Sequence, residues 1–213
     1  MAKIEIVLGR AQARGFDPVL LQDMFRLRYE IFYRRLGWEV DGHDGMERDR
    51  YDELDPVYMV ACENHCVTGC WRMLPTTGPY MLRDTFPQLL GGGAAPQDPA
   101  VWELSRFAVR SGGEEGKAQA NLGNVTFAML RAAYDYARRQ GIRAYVTVTS
   151  VALERLMMRA GIPLVRLADR IPRRIGKVRT VACRIAIDAE LHEALYGVAA
   201  RHAPGTGVWR EVA

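Results

Sequence analysis

The stretch Val101-Trp102-Glu103-Leu104-Ser105-Arg106-Phe107-Ala108-Val109-Arg110 has the composition of a core strand and carries a carboxylate and a guanidinium in its middle. Burying either charge is costly unless it is paired. Strict alternation puts Glu103, Ser105 and Phe107 on one face and Trp102, Leu104, Arg106 and Ala108 on the other, so Glu103 and Arg106 point apart. If both serve one site the strand needs a bulge, because one extra residue re-aims every side chain after it. A strand with a charge at each edge is the plainer alternative.

Three further clusters have residue types suited to a charged ligand. In Arg28-Tyr29-Glu30-Ile31-Phe32, Arg28 and Phe32 are four apart on one helix face, with Trp38 just beyond, so a guanidinium and aromatic rings can meet one ligand. The alternative there is that Phe32 and Trp38 are core and Arg28 is solvated. Glu47-Arg48-Asp49-Arg50-Tyr51-Asp52 offers carboxylates for a cation or an ammonium group, or is a solvated acidic loop. It fails the calcium-loop pattern of alternating Asp followed by Gly. In Gly69-Cys70-Trp71-Arg72-Met73-Leu74-Pro75, Arg72 interrupts an otherwise apolar strand. A buried arginine needs an anionic partner, and a ligand carboxylate fits its planar fork.

The elements that position these residues can be read from apolar period and punctuation. Residues 3–8 read as a strand. Asp17-Pro18 supplies an N-cap and a proline at the first helical position, and apolar residues recur at helical spacing from Leu20 to Phe32, up to Gly37. Residues 41–55 are polar, without a sustained period, and predict a surface or cleft-covering loop. Strands follow over 58–63 and 67–74, joined by a tight turn at Asn64-His65. A short helix is expected over 82–90, and the Gly- and Pro-rich 91–99 leads into the Glu103 strand. Beyond it come an amphipathic helix over 121–140 stopped by Gly141, a strand over 143–149, and a short helix capped by Ser150 that ends at Gly161. A strand over 162–167, a longer one over 177–187, and a helix capped by Asp188 that runs to about 199 complete the order. Hairpins in the middle and alternating elements later predict a mixed, twisted α/β sheet flanked by helices on both faces, one domain over 1–213.

Composition narrows the function classes. With 49% hydrophobic and 25% charged residues, and no apolar run long enough to span a bilayer, the chain reads as a soluble protein with no membrane partner. It has no signal-peptide pattern at residues 1–10, so a cytoplasmic location is expected. Cys62, Cys66, Cys70 and Cys183 fit reduced thiols and match no zinc spacing, so no metal is expected. Charge is uneven. Residues 131–184 hold thirteen Arg and Lys against Asp135, Glu154 and Asp169, whereas the whole chain is only +4. A basic half implies an acidic partner. Nucleic acid is disfavoured, because that stretch has only Tyr134, Tyr136 and Tyr145 as aromatics and no recognisable motif.

Taken together, Arg28, Phe32, Trp38, Glu47, Asp49, Asp52, Arg72, Glu103 and Arg106 resemble, in order and spacing, the pattern of the LuxI-type acyl-homoserine-lactone synthases. The likeness is strongest over 28–110 and continues more weakly to about 187. Ile31 and Met73 depart mildly from the usual valine and leucine. The resemblance implies a GNAT acyltransferase-like fold and the making of a quorum-sensing signal. It also implies S-adenosylmethionine as a substrate, with no separate cofactor, and an acyl chain delivered on acyl carrier protein.

On that reading Glu103 accepts a proton from the substrate amine. Arg28, Arg72, Arg106, Asp49 and Asp52 bind the amino-acid portion, while Phe32, Trp38 and Phe107 pack against the adenosine or sulfonium. Thr147 matches a family position associated with 3-oxo chains, and Thr149 is next on its face, although β-branched residues are common in any strand. Met81, Leu104, Leu122, Met129, Leu156 and Met157 are candidates for the chain pocket or for plain core. Arg155, Arg159, Arg174, Lys177 and Arg179 are expected to dock the acidic carrier protein. The nearest rival is a coenzyme A dependent GNAT N-acetyltransferase. It would need a glycine-rich pyrophosphate loop, and the only candidate, Arg110-Ser111-Gly112-Gly113-Glu114-Glu115-Gly116, carries two glutamates that repel phosphate.

Overall fold

The computed structural model describes residues 3–38, 40–110, 123–197 and 207–212. In chain order the elements are β1 (Ile4–Arg10), α1 (Pro18–Tyr29) continued by a π-helical turn (Glu30–Arg35), a small hairpin of β2 (Gly42–His43) and β3 (Met46–Glu47), and a 3₁₀ turn (Arg50–Leu54). Then come β4 (Val57–Glu63), β5 (Cys66–Pro75), α2 (Met81–Asp84), a second 3₁₀ turn (Pro87–Leu90), β6 (Val101–Val109) and α3 (Asn124–Gln140). The order closes with β7 (Ala144–Ser150), α4 (Val151–Arg159), β8 (Val165–Arg166), β9 (Arg173–Ile175), β10 (Val178–Ala186), α5 (Ala189–Tyr196) and β11 (Gly207–Glu211).

One mixed sheet runs β11-β1-β4-β5-β6-β7-β10-β8, with β9 added to β10. Its parallel pairs are β1–β11 and β6–β7; the other neighbours are antiparallel. This is the expected α/β class, and alternation along each strand gives the sheet two apolar faces. On one, Met59, Trp71, Met73, Leu104, Tyr145, Val181 and Cys183 pack under Val125, Met129, Ala132 and Ala133 of α3. A Cβ on Gly69 would come within 2.9 Å of Val125 Cγ1 and 2.8 Å of Met129 Sδ, so the missing side chain lets α3 settle close to β5. On the other face, Tyr58, Val60, Cys70 and Ala108 pack under Met24, Phe25 and Leu27 of α1. Leu74, Val146 and Ala182 continue that second face beneath Met81, Leu82, Leu89 and Leu90.

Asp17 caps α1 as the sequence indicates, its side chain accepting the Val19 N–H at 2.8 Å. The helix does not run on regularly to Gly37. It widens into a π-helical turn in which the Leu36 N–H reaches back to Ile31 O at 2.9 Å, and the Trp38 N–H then folds onto Phe32 O at 2.9 Å. That fold-back brings two aromatic residues six positions apart onto each other.

The decisive local feature is in β6. Cys70 pairs with Ala108 and Arg72 with Ser105, so two steps along β5 oppose three along β6. This is the bulge that lets Glu103 and Arg106 face one side. Arg106 takes the left-handed conformation, φ 57°, and points to the α1 side together with its neighbour Ser105. Just before the bulge the sheet also opens. β6 and β7 pair only from Val101–Ala144 to Leu104–Thr147 and then part, although each strand continues.

Several expectations are corrected. Residues 41–55 are not bare loop, since they hold β2, β3 and the 3₁₀ turn. Residues 82–90 are two separate short turns, and the strand expected over 162–167 is only Val165–Arg166. Helix α3 begins at Asn124, and α5 ends at Tyr196. Residues 111–122 and 198–206, which include the glycine-rich stretch 111–116, Leu122 and the expected end of the last helix, lie outside the described residues.

Candidate active site

Capping of the 3₁₀ turn arranges the acidic residues. The Asp49 carboxylate accepts the Tyr51 N–H at 2.9 Å, and Asp52 Oδ2 accepts the Asp49 N–H at 2.8 Å. This reciprocal box fixes both carboxylates against the α1 face of the sheet. There they meet three guanidiniums from three different elements. Arg28 of α1 donates in a fork to both oxygens of Asp52 at 2.8 and 2.9 Å, and through Nε to Glu47 of β3. Arg72 of β5 donates to Asp52 at 3.0 Å, to both oxygens of Asp49, and through Nε to Ser105 Oγ at 3.2 Å. Arg106 of β6 reaches Glu47 at 3.0 Å and lies 2.7 Å from Asp49 Oδ2. The Tyr58 hydroxyl adds a hydrogen bond to Asp52 at 2.8 Å.

Removing such groups from water is tolerable only with this degree of mutual pairing. Burial by itself pushes the Asp52 carboxyl up, but the charges of Arg28 and Arg72, the Arg28 hydrogen bonds and the Asp49 N–H outweigh it and hold Asp52 well below its ordinary 3.8. Stability from this group is therefore present above about 3.8, the unfolded value, and is lost as pH falls toward the lower folded value.

Glu103 lies beside this network, wholly buried. Its two oxygens accept the N–H groups of Met81 at 2.9 Å and Leu82 at 2.7 Å, the first turn of α2. Burial raises the Glu103 carboxyl above 4.5; those two N–H groups and the positive charges of Arg72 and Arg106 offset part of the rise. Met81 also places its sulfur 3.1 Å from Arg72 Nη2 and 3.3 Å from Arg106 Nη1. In all, three guanidiniums face four carboxyl groups, and every carboxyl among them is hydrogen-bonded. Among the described residues no group of His, Cys, Asp and Glu is arranged to hold a metal ion.

The network is reached from one side. A cleft of about 430 Å³ is lined by Tyr33, Val40, Asp41, Asp49 and Arg106. Asp49 and Arg106 keep side-chain exposures of 11% and 9%, against 0–1% for Arg28, Arg72 and Glu47. Beside it Phe32 and Trp38 stack, ring centroids 5.2 Å apart and 22° between planes, with the Arg106 guanidinium 5.4 Å from the Phe32 centroid. A second cleft, about 330 Å³ around Arg10, Asp55 and Glu211, lies away from this cluster.

A family model described as autoinducer synthase matches residues 16–195 of this sequence. The chain belongs to the autoinducer synthase family. A curated acyl-homoserine-lactone synthase of Pseudomonas aeruginosa is 44% identical over 195 residues, covering 90% of this chain and 94% of the relative. The crystal structure of the AHL synthase LasI superimposes with a TM-score of 0.82 at 43% identity, covering 92% of this chain and 96% of that one. A coenzyme A dependent acyl-homoserine lactone synthase, BjaI, solved with S-adenosylmethionine and isopentyl-CoA, gives 0.78 at 26% identity, covering 99% and 93%. This synthase is accordingly an acyltransferase with the GNAT-like fold of its relatives.

Most of the expected site residues of this synthase converge. Arg28, Asp49, Asp52, Arg72 and Arg106 form one network, with Glu103 against it and the stacked Phe32 and Trp38 beside Arg106. Phe107 does not join them. The bulge sends it to the α3 side, where its ring lies 4.8 Å from Trp71. Met81 is not on the α3 side either, since its sulfur faces Arg72 and Arg106. Leu104, Met129, Leu156 and Met157 do lie on the α3 side. Thr147 and Thr149 are buried there too, register partners of Cys183 and Val181.

Arg155 and Arg159 are exposed four apart on α4; Arg174 and Arg179 are exposed register partners in the β9–β10 hairpin, with Lys177 exposed at its turn. Three participants were not singled out from the sequence: Tyr58, Ser105 and the N–H pair of Met81 and Leu82. Glu47 was named as the first carboxylate of its motif but was given no role of its own. The N–H pair had only the Gly78-Pro79 before α2 as a signal.

Proposed function

We propose that this synthase transfers an acyl chain from acyl carrier protein to the α-amino group of S-adenosylmethionine and then closes the homoserine lactone, releasing methylthioadenosine. The observation that carries the reading is the convergence of three guanidiniums and four carboxyl groups on a cleft entered past Asp49 and Arg106. S-adenosylmethionine bears an ammonium, a sulfonium and a carboxylate, so it needs fixed charges of both signs, with a net excess of negative groups. Arg106 and Asp49, already partly exposed, are the members placed to exchange internal contacts for the substrate's carboxylate and ammonium. Phe32 and Trp38 offer aromatic faces to the sulfonium or the adenine.

An α-amino group has a pKa of about 8 and is largely protonated at neutral pH. Glu103, made more basic by burial, is the proton acceptor in this reading, directly or through one water. Each of its oxygens accepts one backbone N–H and retains a lone pair for that proton. Backbone N–H groups of β6 past Leu104, where β7 no longer pairs with it, are the candidates for stabilising the tetrahedral oxyanion. Lactone closure then requires the substrate carboxylate to reach its own γ-carbon and expel the thioether, a step supplied mainly by positioning. Thr147, in the last β6–β7 pair, and Thr149 just beyond it are the residues assigned to a 3-oxoacyl chain in this reading.

The exposed arginines of α4 and the β9–β10 hairpin support an acidic carrier protein as donor. The free cysteines among the described residues fit a cytoplasmic enzyme. Incubation with S-adenosylmethionine and 3-oxoacyl chains of graded length, on carrier protein and on coenzyme A, tests the whole reading by mass spectrometry. Lactone and methylthioadenosine are expected with the carrier-bound donor; neither product at any length would remove the assignment, and turnover only with coenzyme A thioesters would replace the donor. The double charge reversal Arg155→Glu, Arg159→Glu should raise KM for the acyl carrier protein about tenfold at low salt, with a smaller effect at high salt.

A further inference from the structure

The second cleft, about 330 Å³, shares no lining residue with the one beside Asp49 and Arg106. Arg10 at the end of β1, Asp55 just before β4, Glu211 at the end of β11 and Tyr136 of α3 meet there, with Val57 and Val212 as its apolar part. Tyr136 marks it as more than a surface dent. The residue is only 4% exposed, and its ring packs edge-on against Trp102, centroids 6.3 Å apart at 71°. Among the described residues its hydroxyl has no hydrogen-bond partner, whereas buried polar groups as a rule have one. The charges that act on it are those of Glu211 and Arg10, both in the wall of the cleft, so the O–H opens into that space. Burial and the Glu211 carboxylate push the phenol up to about 12 against the pull of Arg10, and it remains a protonated donor.

The charged groups around it are only partly engaged. Among the described residues Arg10 donates through Nη1 alone, to the Asp55 carbonyl and to Asp55 Oδ2 at 3.0 Å, which leaves Nε, Nη2 and the other Asp55 oxygen unused. Glu211 accepts the Gln140 side-chain amide at 3.1 Å through Oε1 and keeps Oε2. The wall that carries Glu211 is close-packed: a Cβ on Gly9 would come within 2.4 Å of Val212 Cγ2, so β1 and the end of β11 are held together by the missing side chain.

We infer that this cleft is a binding site for a free α-amino acid, separate from the S-adenosylmethionine site. The unused donors, Arg10 Nε and Nη2 with the Tyr136 O–H, suit a carboxylate. The unused acceptors, Glu211 Oε2 and Asp55 Oδ1, suit an ammonium group. Val57 and Val212 offer apolar surface to the ligand's side chain. Two carboxylates against one guanidinium disfavour a purely anionic ligand, while a zwitterion meets both signs at once. The volume is near the lower bound of small-molecule pockets, roughly 300 Å³, which suits a ligand of amino-acid size. Nothing in this assignment depends on the acyl-transfer reaction.

The test is calorimetric titration of the full chain with each protein amino acid in turn, with and without S-adenosylmethionine. At least one amino acid with an apolar side chain should bind with a Kd below about 1 mM in both conditions. Its amide, which lacks the carboxylate, and its 2-hydroxy acid, which lacks the ammonium group, should each bind at least about tenfold more weakly. Tyr136→Phe removes a hydroxyl that no described protein group uses, so unfolding should be unchanged while affinity for the amino acid falls about tenfold. Arg10→Met should lower affinity further, by about 10–100-fold, because its bond to the carboxylate is charge-assisted. No binding by any amino acid overturns the inference, as does binding that both variants leave within twofold of the parent. Binding abolished by S-adenosylmethionine would place the amino acid in the other cleft and overturn it too. Absence of lactone from every donor would end the proposed reaction and leave this result standing, since the titration requires no turnover.

Discussion

Glu103→Gln is expected to lower the rate of acyl transfer by about 10²–10⁴-fold, the range for losing a positioned general base. The substitution is not structurally silent. Glu103 offers one acceptor oxygen to each of the Met81 and Leu82 N–H groups, whereas glutamine has a single oxygen, so one N–H would face an amide NH₂. A loss of about 1–3 kcal/mol of stability should accompany the rate loss. The pH profile separates the two effects. Since burial raises the Glu103 carboxyl above 4.5, kcat/KM should have an acidic limb set by this group, with activity falling as pH drops through its raised value. In the glutamine variant that limb should vanish from the residual activity. An acidic limb that persists unchanged would show that Glu103 anchors α2 and that another group takes the proton.

Arg28→Met should destabilise the protein by about 3–5 kcal/mol, because it leaves Glu47 and Asp52 buried with too few positive partners. That is a large share of the stability of a domain, typically ~5–15 kcal/mol. Denaturant unfolding at neutral pH measures it. The pH dependence gives a second, sign-definite check. The unaltered protein should lose stability as pH falls below about 3.8, as Asp52 becomes protonated. Without Arg28 the Asp52 carboxyl is no longer held so low, so the loss on acidification should be smaller. A variant as stable as its parent, with an unchanged acid limb, would contradict the network described here.

How much of this was legible in the sequence depends on what each residue's position required. The two charges in the β6 segment could serve one site only across a bulge, and the bulge is there. Phe107 was nonetheless expected beside the charged residues, and it is not there, because the added residue reverses the parity of everything beyond it and carries Phe107 to the α3 face. The Asp49–Asp52 spacing was read as ligand chemistry, and it is equally the capping box that folds residues 41–55 into a wall of the site. A three-residue spacing of carboxylates served both ends, and only the ligand end was recognised. The convergence of Arg28, Arg72 and Arg106 from three elements came from the resemblance, since spacing within one segment says nothing of its neighbours in space. β9 and β11 had no visible signal, for they are short edge strands whose pairing is set by distant segments.

The left-handed backbone at Arg106 carries a consequence for how such a sequence can change. A side chain with a Cβ is strained there by roughly 1–2 kcal/mol, and glycine would relieve it. Glycine would also erase the guanidinium that Asp49 and the buried Glu47 contact, and leaving a buried carboxylate short of a partner costs more than the strain relieved. Libraries screened only by heat resistance should therefore reject Arg106→Gly, and the strained backbone persists because the charges around it over-determine it.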